Sequence, residues 1–215
     1  MTNRDERRTR AIAHPPATHR CGRRLAVWPV DAEAGGTWIA VNDAGLAAVI
    51  LNRTATGVSP APGPLTSRGT LIPALMHAST ARSALALLRA VVRSATFAPF
   101  TLLILYRDRY AITTFDGVAL ELQTALLRGP LMLTSSSIGD QIVDGPRRRL
   151  FRRLVVQRRR RAWVGQSRFH LHQSRGSRHL SVRMSRDDAS TVSVSLLTVA
   201  RSRARLDYLP LSDRP

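Results

Sequence analysis

The chain contains no lysine. All 33 of its basic side chains are arginine, set against 14 acidic ones, and the formal net charge is +19. A charge of that size directs attention to nucleic acid. Nucleic-acid binders ordinarily mix the two cations, because lysine also makes a good phosphate contact. Exclusive arginine beside abundant Ala, Leu and Val reads instead as a coding bias, so nucleic acid is not the expected partner. Cysteine is nearly absent too. Cys21 stands alone, which excludes an internal disulfide framework and fits a reducing cytosol. No apolar run approaches the roughly 20 residues that span a bilayer. No apolar segment near the start reads as a secretory signal. The expected location is therefore cytoplasmic.

Hydrophobic residues make up 44% of the 215. That composition is globular rather than disordered, and the length suits one domain over residues 1–215 with a sizeable core. Residues 7–24, Arg-rich and holding His14-Pro15-Pro16, are expected to form a loop. Residues 25–28 read as a short strand ended by Pro29, and residues 31–36 as a turn. Two β-branched runs, 37–41 and 46–51, are joined by Asn42-Asp43-Ala44-Gly45 and predict a hairpin. Residues 54–64, rich in Pro, Gly, Ser and Thr, are a loop. A short helix is expected over 70–77. Ser79 reads as the N-cap of a second helix running to about Arg93, with Leu85, Leu88 and Val92 as its buried stripe.

From Phe100 the period changes to two. Residues 101–106, 110–115 and 118–122 predict consecutive antiparallel strands, turned at Arg107-Asp108-Arg109 and Asp116-Gly117. Another strand is expected over 131–134. Gly145-Pro146 precedes a helix from about Arg147 to Gln157, and strands return over 180–184, 191–199 and 204–209. Such segregated runs of strands and helices predict an α+β fold in which helices pack over antiparallel sheets.

Two further constellations stand out. His170 and His172 would share a face if they lay on a strand, as some metal-ligand pairs do. No Cys is near and no third carboxylate is placed, so no metal is expected. Nine of the fifteen residues 147–161 are arginine. A helix cannot bury them all, so one face is strongly cationic. The plain reading is a solvated face; the other is a surface for an anion or nucleic acid. Aromatics to stack on bases are few there, namely Phe151 and Trp163.

The motifs that carry most information lie near the start. Asn3-Arg4-Asp5-Glu6 alone is a polar tetrapeptide and would pass for a solvated tail. It is followed by Gly35-Gly36-Thr37-Trp38, then Val41-Asn42 and Gly45, then Leu51-Asn52-Arg53. In that order these segments resemble the NRDE family, also called the transport and Golgi organisation protein family. Ser67-Arg68-Gly69, residues 132–136 and residues 181–193 look like family segments as well. That family resembles the N-terminal-nucleophile hydrolases, so the resemblance implies a four-layer α-β-β-α sandwich of two antiparallel sheets.

In that hydrolase class an N-terminal Cys, Ser or Thr attacks an amide carbonyl, with its own α-amine as base. The family typically opens Met-Cys some way before the NRDE motif. Here Met1 sits almost on the motif, so the first strand is expected to be missing and the chain inactive as written. Cys21 lies beyond the motif and is expected to be a bystander in a loop; Thr2 is a weak substitute nucleophile. The resemblance implies catalytic roles for Asn3, Arg4, Asp5 and Asn52. Arg4 and Asp5 would hold the nucleophile, and Asn52 would donate into the oxyanion hole. Asn52 otherwise simply starts a loop. Glu6, Trp38, Asn42 and Ser135 would face substrate, although Trp38 reads as well as a core residue. The implied activity is amide hydrolysis on a small molecule, without a cofactor. The alternative is a non-catalytic protein that binds haem or another small ligand.

Overall fold

The structure, a computed structural model, describes residues 1–53, 63–200 and 203–211. Much of the expected loop 54–64 lies outside the described residues. The described chain is α+β, with its strands in two antiparallel sheets. Strand β1 (Thr2–Arg7) opens the chain. Strands β2 (His14–Cys21), β3 (Arg24–Val30), β4 (Ile39–Asn42) and β5 (Leu46–Asn52) follow. Helices α1 (Leu71–Leu75) and α2 (Ala81–Ser94) come next, then β6 (Phe100–Tyr106), β7 (Arg109–Phe115) and β8 (Leu120–Leu126). Helices α3 (Asp140–Leu154) and α4 (Ala162–His170) precede the last strands, β9 (Ala189–Ala200) and β10 (Arg203–Pro210). No helix among the described residues is long and apolar enough to cross a membrane.

The chain divides into two compact units. One comprises Met1–Arg10, Arg128–Leu196 and Asp207–Pro215; the other comprises Ala11–Leu127 and Leu197–Leu206. The second unit holds a seven-stranded meander in which β2 to β8 pair with their neighbours in chain order. Leu46, Ala48, Phe100, Leu102 and Ile104 are fully buried on it, and Leu71, Ile72, Leu75, Met76 and Leu88 are buried in the same core. Each large apolar side chain so buried contributes about 1.5–3 kcal/mol relative to exposure. The N-cap of helix α2 is Thr80, one residue later than expected. The Thr80 hydroxyl accepts from Ser83 N at 3.1 Å, and Ser83 Oγ accepts from Thr80 N at 3.1 Å, a reciprocal cap. Ser79 Oγ instead accepts from Arg24 Nη2 at 2.8 Å.

Two glycine-bearing motifs meet in this unit. A Cβ on Gly36 would lie 2.5 Å from the Gly69 carbonyl carbon, and Thr37 N donates to Gly69 O at 3.0 Å. The backbones of 35–37 and 67–69 touch there, which only glycine allows.

Five expectations are corrected. Residues 14–21 are a strand, not a loop. It is the edge of the meander, so Pro15 and Pro16 cost no ladder bond on its open side, and the register slips between His14 and Ala17 around them. Cys21 accordingly ends a strand and is buried in the core, not in a loop. Residues 131–134 are not a strand. Helix α3 begins at Asp140, six residues before Pro146 and earlier than Gly-Pro suggests. Val143, Arg147 and Phe151 recur at four-residue spacing on its buried face, and that packing outweighs one bond lost at proline. Residues 180–184 also form no strand. Most of their carbonyls are taken by side chains: Arg147 Nε donates to Leu180 O at 3.1 Å, Arg147 Nη2 to Ser181 O at 2.8 Å, and Asn3 Nδ2 to Val182 O at 2.8 Å.

Candidate functional site

In the first unit β1 lies antiparallel to β9. Asn3 is opposite Val194, Arg4 opposite Ser193 and Asp5 opposite Thr191, so the register slips by one between Arg4 and Asp5. A bulge of this kind re-aims side chains and is frequent beside functional sites.

Three neighbouring residues of β1 are held in three different ways. The Asn3 amide donates to His170 O at 3.0 Å and to Val182 O, while its Oδ1 meets His170 Nδ1 at 2.7 Å. Burial, reinforced by the Met1 ammonium, lowers the His170 imidazole to about 3, so it is neutral at ordinary pH and its Nδ1–H donates to Asn3. Arg4 is buried, and its Nη2 pairs with Glu6 Oε2 at 3.1 Å. Glu6 also takes Arg10 Nε at 3.4 Å.

Asp5 accepts the Thr191 hydroxyl at 2.6 Å, and that hydroxyl in turn accepts from Met184 N at 2.8 Å. Burial raises the Asp5 carboxyl; the Thr191 bond and the charges of Arg147 and Arg186 oppose that rise. Arg147 is itself buried. Besides the carbonyls of Leu180 and Ser181, it donates through Nη1 to Thr134 Oγ1 at 2.8 Å and to Ser135 O at 3.3 Å. Arg186 donates to Ser137 Oγ at 2.9 Å and Ser136 Oγ at 3.1 Å. Two guanidinium groups thus hold residues 134–137, and their charges act on Asp5. Sequence reasoning missed Arg147, Arg186, Thr191 and the His170 partnership. The signal for Arg147 was available: it stands four residues from both Val143 and Phe151, on the apolar stripe.

The remaining candidates belong to the second unit. Asn52 ends β5 opposite Phe100 and is exposed, with its side chain unbonded among the described residues. Asn42 is buried and bonded on every side. Its Nδ2 donates to Met76 O at 3.1 Å and Ala78 O at 2.7 Å, and its Oδ1 accepts from Ala44 N at 3.1 Å and Leu46 N at 3.0 Å. Trp38 is half-buried just before β4. Burial and the Asp43 charge raise the Cys21 thiol, the opposite of an activated nucleophile. His170 ends α4 and His172 follows it in a turn, so the strand spacing imagined for them does not exist. Among the described residues no three His, Cys, Asp or Glu side chains are gathered as metal ligands.

No curated protein sequence matches this chain. The profile of Transport and Golgi organisation 2 matches residues 1–159, a span that holds β1 with Asn3, Arg4, Asp5 and Glu6, the touching glycines, and Arg147. With 159 of 215 residues matched, the chain belongs to the Transport and Golgi organisation 2 family.

Proposed function

We propose that the chain is an amide-hydrolase scaffold of the N-terminal-nucleophile type that does not turn over as a 215-residue form. The observation that carries the reading is Asp5. It is a carboxylate on the opening strand, hydrogen-bonded by Thr191 and within the field of the Arg147 and Arg186 charges, which suits a group that orients a nucleophile and its amine. Asn52 would serve as oxyanion donor and Ser135 as a substrate contact. Turnover requires Cys, Ser or Thr with a free α-amine, and this form offers only Thr2 behind Met1.

The test is a screen of N-acyl amides against three proteins: the 215-residue form, its Thr2→Ala variant, and a form extended by an N-terminal strand beginning Met-Cys. The first two are expected to be silent. The extended form is expected to gain activity after Met removal and to lose it on Cys→Ala. There, Asn52→Ala should lower kcat by about 10²–10³-fold. Hydrolysis by the 215-residue form that Thr2→Ala abolishes would make Thr2 the nucleophile.

A second reading, binding without turnover, is favoured by the Asn3 amide, which is fully engaged with His170 and Val182. In that reading the ligand is haem or another small anion. Haem titration followed by visible absorbance separates the two: a saturable shift without amide hydrolysis in the extended form supports the carrier.

A further inference from the structure

The first unit contains a cavity of about 600 Å³, within the range of small-molecule sites. Pro146, Leu150, Leu180 and Val182 give it an apolar floor. Arg149 and Arg153, one turn apart on α3, stand at its rim together with His172, Ser174 and Ser177. Side chains four residues apart on a helix are neighbours, so both guanidinium groups can reach one headgroup.

These rim groups are without partners in the fold. Neighbouring Arg148 is paired with Asp144, its Nη2 2.7 Å from Asp144 Oδ1. By contrast, among the described residues neither the Arg149 nor the Arg153 side chain makes a hydrogen bond or ion pair. The Ser174 and Ser177 hydroxyls are equally unengaged; only their backbone N–H and C=O are used. His172 Nδ1 is buried with no partner. An unpaired polar atom sealed from water is costly, and a ligand group is one way to satisfy it.

We propose that this cavity binds a phosphomonoester carrying a compact apolar group. The apolar group lies on the Leu150–Val182 floor, and the phosphoryl oxygens accept from Arg149, Arg153, Ser174 and Ser177. Two guanidinium groups donating twice and two hydroxyls offer about six bonds, more than the roughly four acceptor sites of a carboxylate and suited to three phosphoryl oxygens. Arg147 lines this cavity as well as acting on Asp5, but the proposed donors Arg149, Arg153, Ser174 and Ser177 have no part in the amide-hydrolase reading.

Isothermal titration of the whole 215-residue protein with hexyl phosphate tests the proposal. One saturable site is expected. Arg149→Gln with Arg153→Gln should weaken it at least about tenfold, the loss of charge-assisted bonds. Arg152→Gln with Arg158→Gln removes equal charge from exposed positions outside the cavity and should leave affinity unchanged. Inorganic phosphate and hexanoate should each bind at least about tenfold more weakly than hexyl phosphate. Equal weakening by both double variants would reduce the site to a diffuse basic surface and overturn the proposal. Hexanoate matching hexyl phosphate would overturn the phosphoryl assignment, and inorganic phosphate matching it would overturn the apolar floor. Thermal unfolding of both double variants checks that they fold.

Discussion

Replacing Arg147 by methionine removes a single charged group on which several neighbours depend. Arg147 donates four hydrogen bonds, to Leu180 O, Ser181 O, Thr134 Oγ1 and Ser135 O, at 2.8–3.3 Å. Methionine retains most of the stem's packing, so the loss is chiefly electrostatic. It strands three carbonyls and a hydroxyl, the Ser181 carbonyl buried and the others part-buried, at about 1–3 kcal/mol for each one left dry. It also removes a positive charge that opposes the rise of the Asp5 carboxyl. Release of the guanidinium's own desolvation cost offsets part of this. The net expectation is a loss of about 3–5 kcal/mol, the range for breaking a buried charged partnership. Arg147→Lys keeps the charge but not the fork and is expected to fall between, at about 2 kcal/mol. The exposed neighbour provides the control: Arg148→Gln breaks only its pair with Asp144 and is expected to cost under about 0.5 kcal/mol. Urea unfolding, followed by both circular dichroism and tryptophan fluorescence, gives the midpoints and shows whether a single transition is present. If Arg147→Met lies within about 1 kcal/mol of wild type, residues 180–184 are held by something other than this side chain and the account given for them fails.

Three further outcomes are expected. Gly36→Ala puts a methyl 2.5 Å from the Gly69 carbonyl carbon, and should destabilise by about 1–3 kcal/mol or more in thermal melts; a neutral result would mean the two backbones separate freely. Asn42→Ala leaves Met76 O, Ala78 O, Ala44 N and Leu46 N unpaired in the core, and should cost about 2–4 kcal/mol by the same assay. The pH profile carries two opposed contributions. His170, lowered to about 3, supplies stability that is complete above the unfolded value of 6.5 and is lost as pH falls from there towards 3, by up to about 1.4 kcal/mol per pH unit. Asp5, raised by burial, works the other way, its contribution being present below the unfolded value of 3.8 and lost as pH rises through the folded value. Melting temperatures from pH 3 to 8 should therefore fall less on the acid side in His170→Gln than in wild type, and Asp5→Asn should gain on wild type as pH rises above the unfolded carboxyl range. Parallel curves for all three proteins would contradict both assignments.

Legibility of the fold followed burial on one face. The β4–β5 hairpin was readable because Gly45, at φ 76°, closes two apolar runs. The β6–β7 pair was readable because its strands alternate over buried Phe100, Leu102 and Ile104. Strand β2 was hidden because it is an edge: most of its residues are exposed, so no period of two survives in the sequence, and two prolines mimic a loop. Residues 180–184 misled for the opposite reason. They are apolar enough for a strand, yet their partners are the side chains of Arg147 and Asn3, which no local pattern announces. At the candidate site, Asn3, Arg4 and Asp5 were found only through the resemblance, because four polar residues carry no structural signal alone. Gly36 and Gly69 were visible as parts of two separate motifs, and only the fold shows that each motif needs the other's glycine.

The seven-stranded sheet ends differently on its two sides. At β2, one of the consecutive Pro15 and Pro16 withholds an amide donor from the open margin and the strand slips out of register around them, so a foreign strand laid against that margin finds a broken ladder. At β8 there is no proline across residues 120–126, and Leu122 and Leu126 stand exposed on an uninterrupted strand. Sheet extension is consequently expected at one margin. Concentrated or partly unfolded chains are expected to add strands along Leu120–Leu126, and a lysine or proline placed there, rather than at β2, is the change expected to keep the protein in solution.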